Sequence, residues 1–196
     1  MNILIVTGSH RLNSQSIRIA KLLKERYTQG TSSCVIHELA EMDLPFWSTG
    51  VWEGTSVWKK ILKPLHEDID KADAFIFVTP EWSGMVPPAL KNYFLLANHN
   101  IMGNKPALIV SISSGMGGSY PVNELRTSSY KNTKICYIPE HIILRNVESL
   151  FIKDSELDIS LSNRIKFCYD LLLFYAEAMK PIRNKDLPFN EYPYGM

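Results

Sequence analysis

Gly8-Ser-His-Arg-Leu-Asn-Ser-Gln-Ser16 follows a short apolar run, Ile3-Leu-Ile-Val6, and leads into an amphipathic segment beginning near Ser16. A run with no polar face suits a strand buried on both sides, as in the middle of a parallel sheet. The glycine breaks the strand, hydroxyls and an arginine follow, and a helix begins. At a helix start the first N–H groups lack intrahelical partners and carry partial positive charge, so an anion fits there. Ser9, Ser14 and Ser16 can donate to phosphate oxygens, and Arg11 can add charge-assisted bonds. The stretch therefore reads as the phosphate site of a mononucleotide.

Bulk properties narrow the setting. The chain has 196 residues, 45% hydrophobic and 21% charged, with a net charge of +1. That length suits one domain with a substantial core. Near-neutral charge gives no electrostatic reason to expect nucleic acid or an anionic membrane as partner. No apolar run approaches the roughly 20 residues of a membrane span. Met-Asn followed directly by a strand offers no basic region or cleavage site, so no signal peptide is expected. Cys34, Cys136 and Cys168 are odd in number and match no metal-ligand spacing. They read as reduced, buried thiols of a cytoplasmic protein.

Outward from the opening stretch, strands and helices alternate. Strands are expected at residues 2–7, 34–39, 74–79, 107–112 and about 134–138. In the first helix Ser16, Ile19, Ala20, Leu23 and Tyr27 form the inner face, with Arg18, Lys21 and Lys24 opposite. A second helix, 56–71, shows Val57, Ile61, Leu65 and Ile69, and Pro64 is expected to bend or split it. Pro87 and Pro88 open a third, to about residue 98, since the first turn needs no N–H. A fourth covers about 120–130. The last, about 161–179, places Ile165, Cys168, Leu172, Tyr175 and Met179 on one face, read as core rather than interface. Beyond about residue 180 an irregular tail is expected. The loop at 40–55 carries Phe46, Trp47 and Trp52. Its aromatics suit either a pocket lining or a flap over the sheet edge.

Five strands alternating with helices define a doubly wound α/β fold in one domain, a parallel sheet covered on both faces. In such a sheet the loops after strands one, three and four gather at the carboxyl edge, where ligands bind. All three of these loops are rich in small residues: 8–16, Pro80-Glu-Trp-Ser-Gly84 and Ser113-Ser-Gly-Met-Gly-Gly-Ser119.

Gly8-Ser-x-Arg11-x-x-Ser14-x-Ser16, Asp43-Leu-Pro45, Pro80-Glu-Trp-Ser-Gly-x-x-Pro87-x-x-Leu90-Lys-Asn92 and Ser114-Gly-x-Gly-Gly118 together resemble the NADPH-dependent FMN reductase family. The resemblance covers roughly residues 2 to 130 in matching order. It implies a flavodoxin-like three-layer sandwich with strand order 2-1-3-4-5. It also implies an FMN whose phosphate meets Ser9, Arg11, Ser14 and Ser16, and whose ring lies against Pro80, Glu81, Trp82 and Ser83. The pyrimidine edge would meet N–H groups of Ser114, Gly115, Gly117 and Gly118. Members of that family pass hydride from NADPH or NADH through the flavin to a quinone, azo compound, flavin or metal oxyanion, and are commonly dimers or tetramers. The chemistry is the flavin's, so no catalytic side chain and no metal is implied. Two departures stand out: Trp82-Ser83 replaces the usual Tyr-Asn, and Ser16 stands where Asn is common.

Each singled-out residue also has a plainer reading. Arg11 is taken as a phosphate ligand rather than a surface cation. Glu81 is taken as a loop-positioning residue rather than an acid catalyst, Lys91 and Asn92 as ties between loop and helix, and His10 as solvent-facing. His37, His66, His99 and His141 show no metal spacing and read as structural. The opening stretch is neither a P-loop nor a G-x-G-x-x-G turn. No cysteine is followed six residues later by the arginine of a phosphatase loop. The rival readings are a non-enzymatic FMN-binding electron carrier or redox-sensing module, which net charge +1 suits poorly, and a relative that has lost FMN and serves in an assembly.

Overall fold

A computed structural model describes residues 1–97, 99–152, 155–183 and 191. In chain order the elements are β1 (Asn2–Thr7), α1 (Gln15–Tyr27), β2 (Ser33–Glu38), α2 (Gly50–Glu53), α3 (Ser56–Lys71), β3 (Ala74–Pro80) and α4 (Pro88–Leu96). They continue as α5 (His99–Met102), β4 (Pro106–Ile112), α6 (Ser119–Ser128), α7 (Tyr130–Thr133), β5 (Cys136–Leu144), a 3-10 turn at Val147–Ser149, and α8 (Glu156–Arg183). The strands form one parallel sheet in the order β2-β1-β3-β4-β5.

Burial follows sheet position. All seven residues of β3 and all seven of β4 are buried, as for central strands covered on both faces. Strands β2 and β5 are only partly buried and lie at the edges. Alternation divides β1: Ile3 and Ile5 belong to a core shared by Ile19 and Leu23 of α1 and by Ile165, Cys168 and Leu172 of α8. Leu4 and Val6 belong to the opposite core, with Leu62, Leu65 and Ile69 of α3 and Leu90 and Tyr93 of α4. Since β2 lies on one side of β1 and β3 on the other, the direction in which successive strands are added reverses between β1 and β3. This switch point opens a crevice at the carboxyl ends of those strands.

Several elements depart from the sequence expectations. Helix α3 runs unbroken through Pro64, and its buried face is Trp58, Leu62, Leu65 and Ile69, while Val57 is exposed. Strand β5 extends to Leu144, beyond the expected stop near residue 138. Pro139, which has no N–H, lies where Tyr137 pairs Ala107 but His141 pairs Ile109, so the extra residues loop out as a bulge. One Arg126 nitrogen donates to the carbonyls of Ile138, Pro139 and Glu140 and holds that bulge.

Helix α8 starts at Glu156, five residues earlier than expected, because Ser155 and Asp158 cap it reciprocally. The Ser155 N–H and hydroxyl donate to Asp158, and the Asp158 N–H donates back to Ser155 Oγ. At its other end α8 continues through Pro181 to Arg183, so residues 180–183 are helical; apart from residue 191, the rest of the expected tail lies outside the described residues. Arg18 also departs, reaching the carbonyls of Val147 and Leu150 instead of facing solvent.

Candidate functional site

Helix α1 begins at the carboxyl edge of β1. Ser14 is its N-cap, accepting the Ile17 N–H at 3.3 Å. Ser9, buried, accepts the Arg11 N–H at 3.1 Å and tightens the turn. Ser16, in the first turn, is fully buried, and its hydroxyl has no hydrogen-bond partner. Among the described residues, the N–H groups of Gln15 and Ser16 have no partner either, and the exposed Arg11 guanidinium makes no hydrogen bond or ion pair. Gly8 has a packing reason: a Cβ there would come 3.0 Å from Leu90 Cδ2, and its N–H donates to the Val78 carbonyl at 2.8 Å.

The second loop leaves β3 at Pro80. Glu81 N–H donates to the Ile112 carbonyl at 3.0 Å, and Trp82 and Met85 exchange N–H···O bonds of 3.0 and 2.9 Å. Ser83 and Gly84 between them have φ of +50° and +72°. A two-residue turn with both central residues left-handed suits Asn-Gly best, so Ser83 holds this conformation at some cost. The Trp82 ring stands edge-to-face with His10, centroids 4.6 Å apart. His10 therefore ties the first loop to the second, beyond facing solvent. Val86 N–H donates to Glu124 of α6, which also ion-pairs with Lys91. Asn92 accepts the Trp47 N–H at 2.8 Å and donates to the Pro45 carbonyl at 2.9 Å, anchoring the loop after β2.

The third loop follows β4. Gly118, at φ +107°, donates its N–H to Glu81 Oε2 at 2.6 Å. A Cβ at Gly117 would lie 2.6 Å from Glu81 Oε1, so a side chain there would displace the carboxylate that holds Gly118. Gly115 N–H is taken by Ser113 Oγ at 3.2 Å. Two of the four loop amides named from sequence are thus bonded within the protein, while those of Ser114 and Gly117 have no partner among the described residues. Contacts from His10 to Trp82 and from Glu81 to Gly118 join all three loops into one lip at the switch point.

Residues beyond those named also belong to this edge. Ser111 is fully buried on β4 beside Thr79 of β3, and its hydroxyl is also without a partner. One polar residue near the end of the apolar run Ala107-Leu-Ile-Val-Ser-Ile112 was the available signal. Arg145, just past β5, donates from Nε to the Met116 carbonyl at 2.7 Å and had no sequence signature.

Elsewhere, His37 is buried between the Tyr93 hydroxyl and the Asp68 carboxylate, 3.0 Å from each. These partners put a proton on Nε2 and leave Nδ1 as acceptor. Burial, with Asp68 nearby, pushes the Tyr93 hydroxyl well above its ordinary range. His66 bonds the Leu96 carbonyl, and His141 Nδ1 is buried without a partner; the side chain of His99 lies outside the described residues. Cys168 is buried but Cys34 and Cys136 only half so, and burial raises the pKa of all three free thiols. Trp47 and Trp52 of the long loop line a cavity of about 760 Å³ with Trp58, Phe94 and Leu95, and no residue of the three loops borders it.

The profile of the NADPH-dependent FMN reductase family matches residues 1–148, and the chain belongs to that family. A quinone reductase from Pseudomonas putida is 30% identical over 128 residues, covering 62% of this chain and 65% of the relative. An FMN-dependent NADPH-azoreductase from Staphylococcus aureus is 30% identical over 124 residues, covering 63% and 66%. The chain thus spans just under two thirds of the length of these curated relatives. Among solved structures, a flavoenzyme NAD(P)H:(acceptor) oxidoreductase from Paracoccus denitrificans superposes with a TM-score of 0.74, 22% identity, and coverage of 91% of this chain and 98% of that one. That likeness concerns the fold, which is flavodoxin-like. Helix α8, beyond the matched profile, completes the α1 side of the sandwich against β3, β4 and β5.

Proposed function

We propose that this protein is an FMN-dependent oxidoreductase that takes hydride from NADPH or NADH and passes electrons to a small acceptor such as a quinone or azo compound. The observation that carries this reading is the buried, partnerless Ser16 hydroxyl in the first turn of α1, where N–H groups also lack partners. A buried hydroxyl without a partner is costly and calls for a ligand. Ser9, Arg11, Ser14 and Ser16 would hold the phosphate; Pro80, Glu81, Trp82 and Ser83 would face the ring. The free N–H groups of Ser114 and Gly117 would meet its pyrimidine edge, with Gly115 and Gly118 shaping the loop. Bound FMN would supply hydride acceptance and electron delivery, and the protein supplies orientation and charge.

Membership of the family and the two reductase relatives support this reading over an electron carrier. We further infer a homodimer or homotetramer, supported by exposed Trp52 and Leu95 on one cavity. A cytoplasmic location is supported by the three free thiols.

The deciding experiment mixes FMN-loaded protein with NADPH or NADH without oxygen and follows the flavin's visible absorption. Rapid bleaching, reversed by a quinone, is expected. A protein that takes up no FMN, or one whose flavin neither nucleotide bleaches within minutes, would overturn the proposal.

A further inference from the structure

Loop 113–118 is gripped from two sides. The segment after β5 takes its carbonyls: Val147 N–H donates to Ser113 O at 3.0 Å, Asn146 N–H to Gly115 O at 2.9 Å, and Arg145 Nε to Met116 O at 2.7 Å. Arg145 also reaches Ser119 Oγ from Nη2 at 3.4 Å. With those carbonyls engaged, the amides of Ser114 and Gly117 remain without partners among the described residues. Among the described residues, two ionisable side chains of opposite sign make direct bonds to this loop: the Glu81 carboxylate at Gly118, and the Arg145 guanidinium at Met116.

We infer that Glu81 and Arg145 are positioning residues that shape the loop and set, in opposite directions, the balance between oxidised and reduced FMN. The inference rests on the flavin reading above. Reduction by hydride adds two electrons and one proton to the ring, leaving one net negative charge near the edge that this loop would face. A carboxylate bonded to the loop opposes that charge and a guanidinium favours it, because charges a few ångströms apart at a protein surface still interact appreciably. The shape and charge contributions separate by substitution. In Glu81→Gln the amide oxygen still accepts the Gly118 N–H, so the loop keeps its form while the charge is lost. In Arg145→Met the two main-chain bonds from Asn146 and Val147 remain.

The test measures the dissociation constant of oxidised FMN and the two-electron midpoint potential for the wild type and both variants. Both variants are loaded with FMN before the potentials are read, and the affinity of each for oxidised FMN is measured separately. The affinity ratio of reduced to oxidised FMN should rise about tenfold in Glu81→Gln and fall about tenfold in Arg145→Met. Tenfold corresponds to about 30 mV up and down for a two-electron couple. In Glu81→Ala, which also loses the bond to Gly118, oxidised FMN should bind about tenfold more weakly. Potentials that stay put, or move in the same direction in Glu81→Gln and Arg145→Met while FMN remains bound, would overturn the inference alone. A wild type that takes up no FMN would overturn the flavin reading and this inference with it.

Discussion

Replacing Ser16 by alanine should stabilise the ligand-free protein while weakening its grip on FMN. The hydroxyl is fully buried and bonded to nothing in the protein, whereas neighbouring Ser14 is committed to the helix cap. Leaving a buried hydroxyl unpaired costs about 1–3 kcal/mol, and alanine is also a better helix residue than serine by a few tenths of a kcal/mol. Removing one oxygen leaves only a small void, so a net gain of about 1 kcal/mol is expected for the free protein. At about 2–4 °C per kcal/mol for a chain of this size, the melting temperature should rise by roughly that amount. With FMN the sign reverses. Loss of one phosphate bond of about 1.5–3 kcal/mol should weaken binding about tenfold or more, and the melting shift produced by saturating FMN should shrink accordingly. The assay is a pair of thermal melts, with and without FMN, plus a titration of flavin fluorescence. A free variant that melts below the wild type, or one that binds FMN equally well, would refute the reasoning.

The remaining predictions concern charge, pH and strain. Arg11→Ala removes a guanidinium that no described residue engages, so melting of the free protein should hardly move; FMN affinity, read by titration, should fall about tenfold or more. Lys105 is buried, with its ammonium on the Ile69 and Asp70 carbonyls, and burial lowers its pKa from 10.5 to about 8. Between pH 8 and 10.5 the unfolded chain holds a proton that the folded one has lost, so this residue's contribution to stability rises with pH across that window. The thiols and tyrosines whose pKa values burial raises (Tyr169 is pushed up to about 12) pull the other way above their ordinary values of about 9 and 10. Comparison with Lys105→Met cancels them: the wild type's advantage, measured by urea unfolding, should grow by about 2 kcal/mol from pH 7.5 to 10, and a constant difference would contradict it. Ser83→Asn should raise stability by up to about 1 kcal/mol, because asparagine tolerates the left-handed conformation better; a lower urea midpoint would argue against strain at this turn.

The central sheet was legible because β3 and β4 are uninterrupted apolar runs, and burial on both faces leaves little choice of position for them. Edges and ends were harder, because distant groups decide them. Pro139 reads locally as a stop, yet β5 passes it because Arg126 of α6 satisfies the bulge carbonyls. The start of α8 was written in Ser155-x-x-Asp158, ahead of the apolar stripe that drew the boundary too late. Pro64 left α3 continuous because a buried face spanning both sides of it, from Trp58 to Ile69, outweighs one missing N–H. At the candidate site, the three loops and their edge could be read from small residues placed after strands. Which serine caps the helix and which is left without a partner could not, since both lie in the same short run. Arg18 and Arg145 were silent in sequence: their partners lie more than a hundred residues away in one case and on a loop beside another strand in the other.

The bulge in β5 also bears on how the molecule behaves among its own copies. A parallel sheet ends in strands whose outer backbone groups can template a further strand from a neighbour. At this margin Pro139 offers no N–H, the stretch around it is out of step with β4, and its three carbonyls are held by one arginine. An incoming strand would lose its register at that point. That side of the sheet is a poor template for a further strand, through the same residues that let the last strand run on past Pro139.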